Sequence, residues 1–154
     1  MWSGTMYFRA TWFRTLLVLL VTGWTTSAWA DWRFSDSHQH FGNAPTAEAS
    51  DSSGHTLALM CREGEPTLTL SGYSANTRNE LSRPLDVLVD GIGYRLDSTH
   101  APSADIWVAE APRGLLTTLQ SGKVAVVTPH QGGAARFSLN GASAPIDQVL
   151  TACR

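Results

Sequence analysis

Cys61 and Cys153 are the only cysteines of the chain, and they stand 153 − 61 = 92 residues apart, the second next to the terminal Arg154. Each falls on an apolar face. Leu57, Leu59 and Cys61 recur every second residue, the period of a half-buried strand. Ile146, Val149, Leu150 and Cys153 recur at i, i+3, i+4 and i+7, the stripe of an amphipathic helix. A bridge between the two would clamp the last element of the domain onto the first core strand. In the chain-entropy model a closed loop of this length stabilises by about 4–5 kcal/mol, comparable with the whole stability of a small domain. Two separate buried thiols are the alternative.

Oxidation of the pair depends on the compartment, which the first thirty residues address. Arg9 and Arg14 precede and flank an apolar run from Leu16 to Val21, and Ala28-Trp29-Ala30 places small residues at −3 and −1 before Asp31. This is the pattern of a secretory signal peptide. An uncleaved anchor needs about 20 consecutive apolar residues, whereas Thr22, Thr25, Thr26 and Ser27 interrupt this run. Cleavage after Ala30 leaves 154 − 30 = 124 residues. The expected location is periplasmic or secreted, where a cysteine pair oxidises.

Without the leader's two arginines the chain has 11 − 2 = 9 basic and 13 acidic side chains, a net charge of 9 − 13 = −4. Its basic residues are scattered singly, which argues against nucleic acid and against an anionic membrane surface. The length suits one domain. From Ser35 to His55 the chain is rich in Ser, Asp, His, Gly, Asn and Ala, with Phe41 its one bulky apolar residue, so residues 31–55 read as a flexible arm. The packed unit is then 56–154.

Within that unit, alternation marks strands over His55–Cys61 and Thr67–Leu70, and at Leu85–Val89 and Ile92–Leu96 around Asp90-Gly91, a strong hairpin signal. Ile106–Ala109 is a further strand, and Lys123–Thr128 and Ala135–Leu139 form a second hairpin. One helix is expected from Pro112 to Gln120, stopped by Gly122, and another after Ser143 as cap and Pro145 in its first turn. The expected fold is mainly β: a small sandwich or partly closed barrel of six or seven short strands, with a short inserted helix and a C-terminal helix.

Chemical candidates are sparse. Asp36, His38 and His40, with His55 nearby, have the residue types of a metal site but not the closed spacing of one, and read as solvated side chains without a metal. His100 with Asp97, Asp105 and Ser98 or Ser103 supplies the types of a catalytic triad but lacks a nucleophile elbow. No catalytic residue and no cofactor is therefore assigned. Among the aromatics Trp32, Tyr73, Tyr94, Trp107 and Phe137, most are expected to pack, and Tyr94 and Trp107, in strands, are the candidates for a ligand surface.

The order of a strand ending in cysteine, the segment Leu115-Leu116-Thr117-Thr118-Leu119 before Gly122 and Val124-Ala125-Val126, and Phe137-Ser138-Leu139-Asn140-Gly141-Ala142 leading to Ile146, Leu150 and Cys153 has a wider echo. It resembles periplasmic type VI secretion-associated VasI/TagO-like proteins and invasion-associated locus B-like proteins. The resemblance covers about Leu57 to Cys153 and implies a non-enzymatic envelope accessory protein. The expected function is an exported accessory or binding module whose partner is an envelope protein or a cell-wall component. A small secreted hydrolase or an enzyme inhibitor is the alternative.

Overall fold

The computed structural model describes residues 31–38, 41–75 and 81–154; the leader, with its Ala28-Trp29-Ala30 signal, and His40 lie outside the described residues. Nine strands form one antiparallel sheet: β1 (Arg33–Ser35), β2 (Thr46–Ser50), β3 (Thr56–Arg62), β4 (Glu65–Ser71), β5 (Ser82–Val89), β6 (Ile92–Ala101), β7 (Ile106–Glu110), β8 (Val124–Pro129) and β9 (Ala135–Ser138). Helix α1 (Arg113–Ser121) and helix α2 (Ser143–Ala152) complete the elements of the described residues. The spatial order is β1-β2-β3-β4-β7-β6-β5-β8-β9, so β7 joins two sequence-local blocks.

The architecture is mainly β, as expected, but with nine strands rather than six or seven and one sheet rather than a sandwich. Nor is it a closed barrel. Its two ends approach without pairing as strands: Asp31 N donates to Asn140 O at 3.2 Å, and the Trp32 indole N–H donates to Ser138 O at 2.7 Å.

The described residues of the 31–55 segment are not a flexible arm. They contribute β1 and β2, with Arg33 to Ser35 in register with Glu48 to Thr46, and β2 in turn pairs along β3 from Thr46↔Met60 to Ser50↔Thr56. Trp32, Ala47 and Ala49 join the core, at 3%, 0% and 4% exposure. The composition misled because this segment buries one large ring and several methyl groups rather than a run of large aliphatics.

The turns follow local chemistry. Asp90 (φ 47°) and Gly91 (φ 92°) both take the left-handed conformation that a two-residue hairpin requires. The Asp90 carboxylate also accepts from Lys123 N at 2.7 Å and Val124 N at 3.1 Å, which starts β8 beside β5. Helix α1 begins one residue later than expected, after Pro112, and ends at Gly122, where a Cβ would lie 2.6 Å from Val89 Cγ1. Helix α2 starts after Ala142 rather than being capped by Ser143, and no side chain caps it.

The inner face of the sheet carries Leu57, Leu59, Leu68, Leu70, Leu85, Val87, Trp107, Val127 and Phe137, covered by Leu115 and Leu119 of α1 and Ile146 and Val149 of α2. Helix α2 touches β1, β2, β3 and α1. At its end Cys153 lies at disulfide distance from Cys61, with Cα atoms 5.4 Å apart. That separation is within the range that a disulfide between the last helix and β3 requires.

Two measurements check this arrangement. Replacing Trp32 by Ala is expected to cost about 3–5 kcal/mol of unfolding free energy, the range for a buried aromatic; a change near zero would return the N-terminal strands to the status of an arm. Peptide mapping of unreduced protein is expected to recover Cys61 linked to Cys153, and replacing both by Ser to cost about 2–5 kcal/mol. Two free thiols would contradict the linkage.

Candidate functional site

Alternation along the strands places a second set of side chains on the outer face, away from the helices. From the register, Thr69, Val108 and Thr99 form one row across β4, β7 and β6, and Thr67 lies beside Glu110 in the next. A hollow of about 880 Å³ opens on this face, lined by Arg62, Glu63, Glu65, Thr67, Asp97, Thr99 and Glu110 among others. Four of these are carboxylates and one is a cation. Beside it a smaller hollow of about 200 Å³ is lined by Arg33, His38, Glu48, Thr69 and Ile106 among others.

The two hollows are adjacent, since Thr69 of the smaller is the cross-strand partner of Val108 in the larger. At the smaller one Arg33 and Glu48 form an ion pair at 3.1 Å. Around it the chain is tucked in: His38 and Ala44 are both 8% exposed, and Phe41 stacks obliquely on His38 and lies under the Arg62 guanidinium, 5.4 Å from its ring centroid. The result is a shallow polar trench along the outer face of β2, β3, β4, β7 and β6.

A separate cluster joins one end of the core. Asp51 accepts from the His55 ring Nδ1 at 2.8 Å and from the backbone N–H groups of Ser53 and His55. Burial works to raise the Asp51 carboxyl, but the His55 and Ser53 hydrogen bonds and the His55 charge outweigh it and hold the pKa below the ordinary 3.8. The His55 ring stacks on Tyr73 at 4.2 Å. That contact requires Gly72 (φ 89°), where a Cβ would come 2.8 Å from the His55 ring. Burial, then the Asp51 charge, raises the Tyr73 pKa.

The aromatic candidates for a ligand surface are placed differently from expectation. Trp107 has no exposed surface; it donates its indole N–H to Tyr73 O at 2.7 Å and lies between His100, 4.7 Å away, and the Arg83 guanidinium, 4.4 Å away. An inward position in a strand flanked on both sides buries it. Tyr94 is half-buried, and its hydroxyl meets Gly114 O and the Thr118 hydroxyl, so it ties β6 to α1.

Of the candidate triad residues, only His100 and Asp105 are joined, and among the described residues no hydrogen bond links Ser98 or Ser103 to His100. His100 pairs with Asp105 at 3.0 Å, but the Ser98 hydroxyl donates to the Arg83 carbonyl and Asp97 lines the outer hollow. Of the metal candidates, His38 is buried beside the smaller hollow while His55 is held by Asp51. Among the described residues no three acids, histidines or cysteines are grouped to hold a metal ion.

Sequence reasoning named Asp97 only as a triad candidate and missed Glu63, Glu65 and Glu110. A signal exists in retrospect: the outward positions of β4, β6 and β7 read Glu65, Thr67, Thr69, then Asp97, Thr99, then Val108, Glu110. Their convergence depends on the β4-β7-β6 order, which no local pattern states.

No family model and no curated protein matches the chain. Among solved structures it is similar to invasion associated protein B from Bartonella henselae, with a TM-score of 0.53 and 11% identity over 80% of this chain and 94% of that one. The likeness shows a shared fold, in keeping with one of the two resemblances drawn from the sequence. The resemblance to the VasI/TagO-like group has no family match behind it.

The Asp51 geometry fixes a sign. A carboxyl whose folded pKa is depressed contributes stability above its unfolded pKa and loses it as pH falls through the folded value. The stability gap between the protein and its Asp51→Asn variant is therefore expected to shrink as pH falls below about 4. Equilibrium unfolding across that range checks this; a gap independent of pH would contradict it.

Proposed function

We propose that this chain is an exported, non-enzymatic envelope accessory module that recognises a partner protein through the outer face of its sheet. The observation that carries the reading is the trench: a broad open hollow on a sheet face that the helices leave uncovered. Flat or shallow polar surfaces of this kind suit macromolecular recognition, whereas small-molecule chemistry favours enclosed, largely apolar pockets. The Ser98 hydroxyl is committed to the Arg83 carbonyl rather than to the His100–Asp105 pair, which is in keeping with a binding role.

Export is supported by the signal-like leader and by the disulfide-distance cysteines. Among the described residues no helix is long and apolar enough to cross a membrane. The solved relative is named for invasion, and an association with envelope or secretion machinery is the corresponding reading for this chain.

The test uses the full chain expressed with its leader. Protein recovered from the extracytoplasmic fraction is expected to begin at Asp31. A photo-crosslinking residue at the exposed Thr99, in the trench, is expected to yield an adduct with an envelope protein, and one at the exposed Gln148, on α2, to yield none. Retention of Met1 in the membrane pellet would overturn export. An adduct from Gln148 but not Thr99 would overturn the choice of face.

A further inference from the structure

The larger hollow of the trench is lined by four carboxylates, Glu63, Glu65, Asp97 and Glu110. Other carboxylates of the outer face are paired: Glu48 with Arg33 at 3.1 Å in the smaller hollow and Asp86 with Arg95 at 3.6 Å between β5 and β6. Glu63, Glu65, Asp97 and Glu110 have no ion pair or side-chain hydrogen bond among the described residues. Arg62, which also lines the hollow, lies over the Phe41 ring, and His100 at its edge is paired with Asp105. Like charges on neighbouring strands repel, and a cationic occupant removes that repulsion.

Shape selects among cations. A bound metal ion requires several oxygens within about 2.6 Å of one point, and among the described residues no such group exists. The carboxylates are instead spread over the β3–β4 turn and three adjacent strands, β4, β7 and β6, with strands about 4.8 Å apart. A volume of about 880 Å³ far exceeds a single ammonium group. The floor offers Thr67 and Thr99 hydroxyls and the Val108 side chain, which suit a backbone and the aliphatic stems of long basic side chains.

We infer that the trench binds an extended polypeptide segment bearing several Lys or Arg residues, laid across β4, β7 and β6 with its cations on Glu65, Asp97 and Glu110. The inference rests on the outer face being the recognition surface and adds the chemistry of the partner.

The probe is a short fluorescein-labelled peptide alternating Lys or Arg with Ser and Gly, titrated by anisotropy into the disulfide-bonded exported protein. Saturable binding is expected at low ionic strength, weakening by about tenfold or more as salt rises past about 0.3 M. The triple variant Glu65→Gln, Asp97→Asn, Glu110→Gln is expected to bind at least about tenfold more weakly with an unchanged thermal midpoint. Glu110→Gln alone, expected about threefold weaker, serves if the triple variant fails to fold. A triple variant losing the same charge elsewhere, at Asp36, Asp86 and Asp147, is expected to stay within about twofold of the parent.

Equal losses in the two triple variants would reduce the effect to net charge and overturn the inference. So would wild-type affinity in the trench variants, or equal binding of a peptide with Glu in place of its cations. A Thr99 cross-link to an envelope protein without basic-peptide binding overturns the inference and leaves the choice of face standing; loss of both overturns both.

Discussion

The seating of α2 on the first strands is the contact on which the rest of the molecule depends. Ala47 and Ala49 of β2 present only methyl groups to the core, and Ile146 and Val149 of the helix are fully buried with them. Small residues let a helix approach a sheet closely, and dispersion and apolar burial both grow as the gap shrinks. Cys61 and Cys153 then fix the end of the helix to β3. Because β2 is held from the inside by α2, its outer side is free to frame the trench with Glu48.

The sheet order explains why the trench lies where it does. Strand β7 enters between β4 and β6, so the outward residues of two hairpins distant in sequence become one surface. Thr67 and Thr69 come from the first hairpin, Asp97 and Thr99 from the second, and Val108 and Glu110 from the strand between them. On the inner side the same junction is packed by Trp107, with Arg83 and His100 on its ring and Tyr73 accepting its N–H. A rigid buried aromatic under an open polar surface gives that surface a fixed shape, which limits the ordering entropy lost on binding.

Much of the fold was legible where side chains are large. Seven strands from Thr56 onward, the Asp90-Gly91 turn and both helices follow from alternation, helical periodicity and turn chemistry, because Leu, Val and Ile declare which way they point. Strands β1 and β2 were illegible because their burial is carried by Trp32 and by alanines, which weigh little in any hydrophobic pattern. Alternation gives the direction in which Trp107 faces but not that neighbouring elements cover it, so its full burial was not legible. The site was the least legible part. Glu65 and Asp97 belong to different hairpins, and only the pairing of β4 with β7 brings them onto one surface.

Native-state amide hydrogen exchange tests the central claim most directly, namely that the N-terminal strands are integral to a single sheet held by α2 and the bridge. The amides of Ala47 and Ala49 are the ones to follow, in the disulfide-bonded protein at neutral pH. The account predicts protection comparable with that of Leu59 in β3, so that these amides exchange only through large-scale unfolding. Exchange at the rate of an unstructured peptide, with β3 still protected, would contradict it.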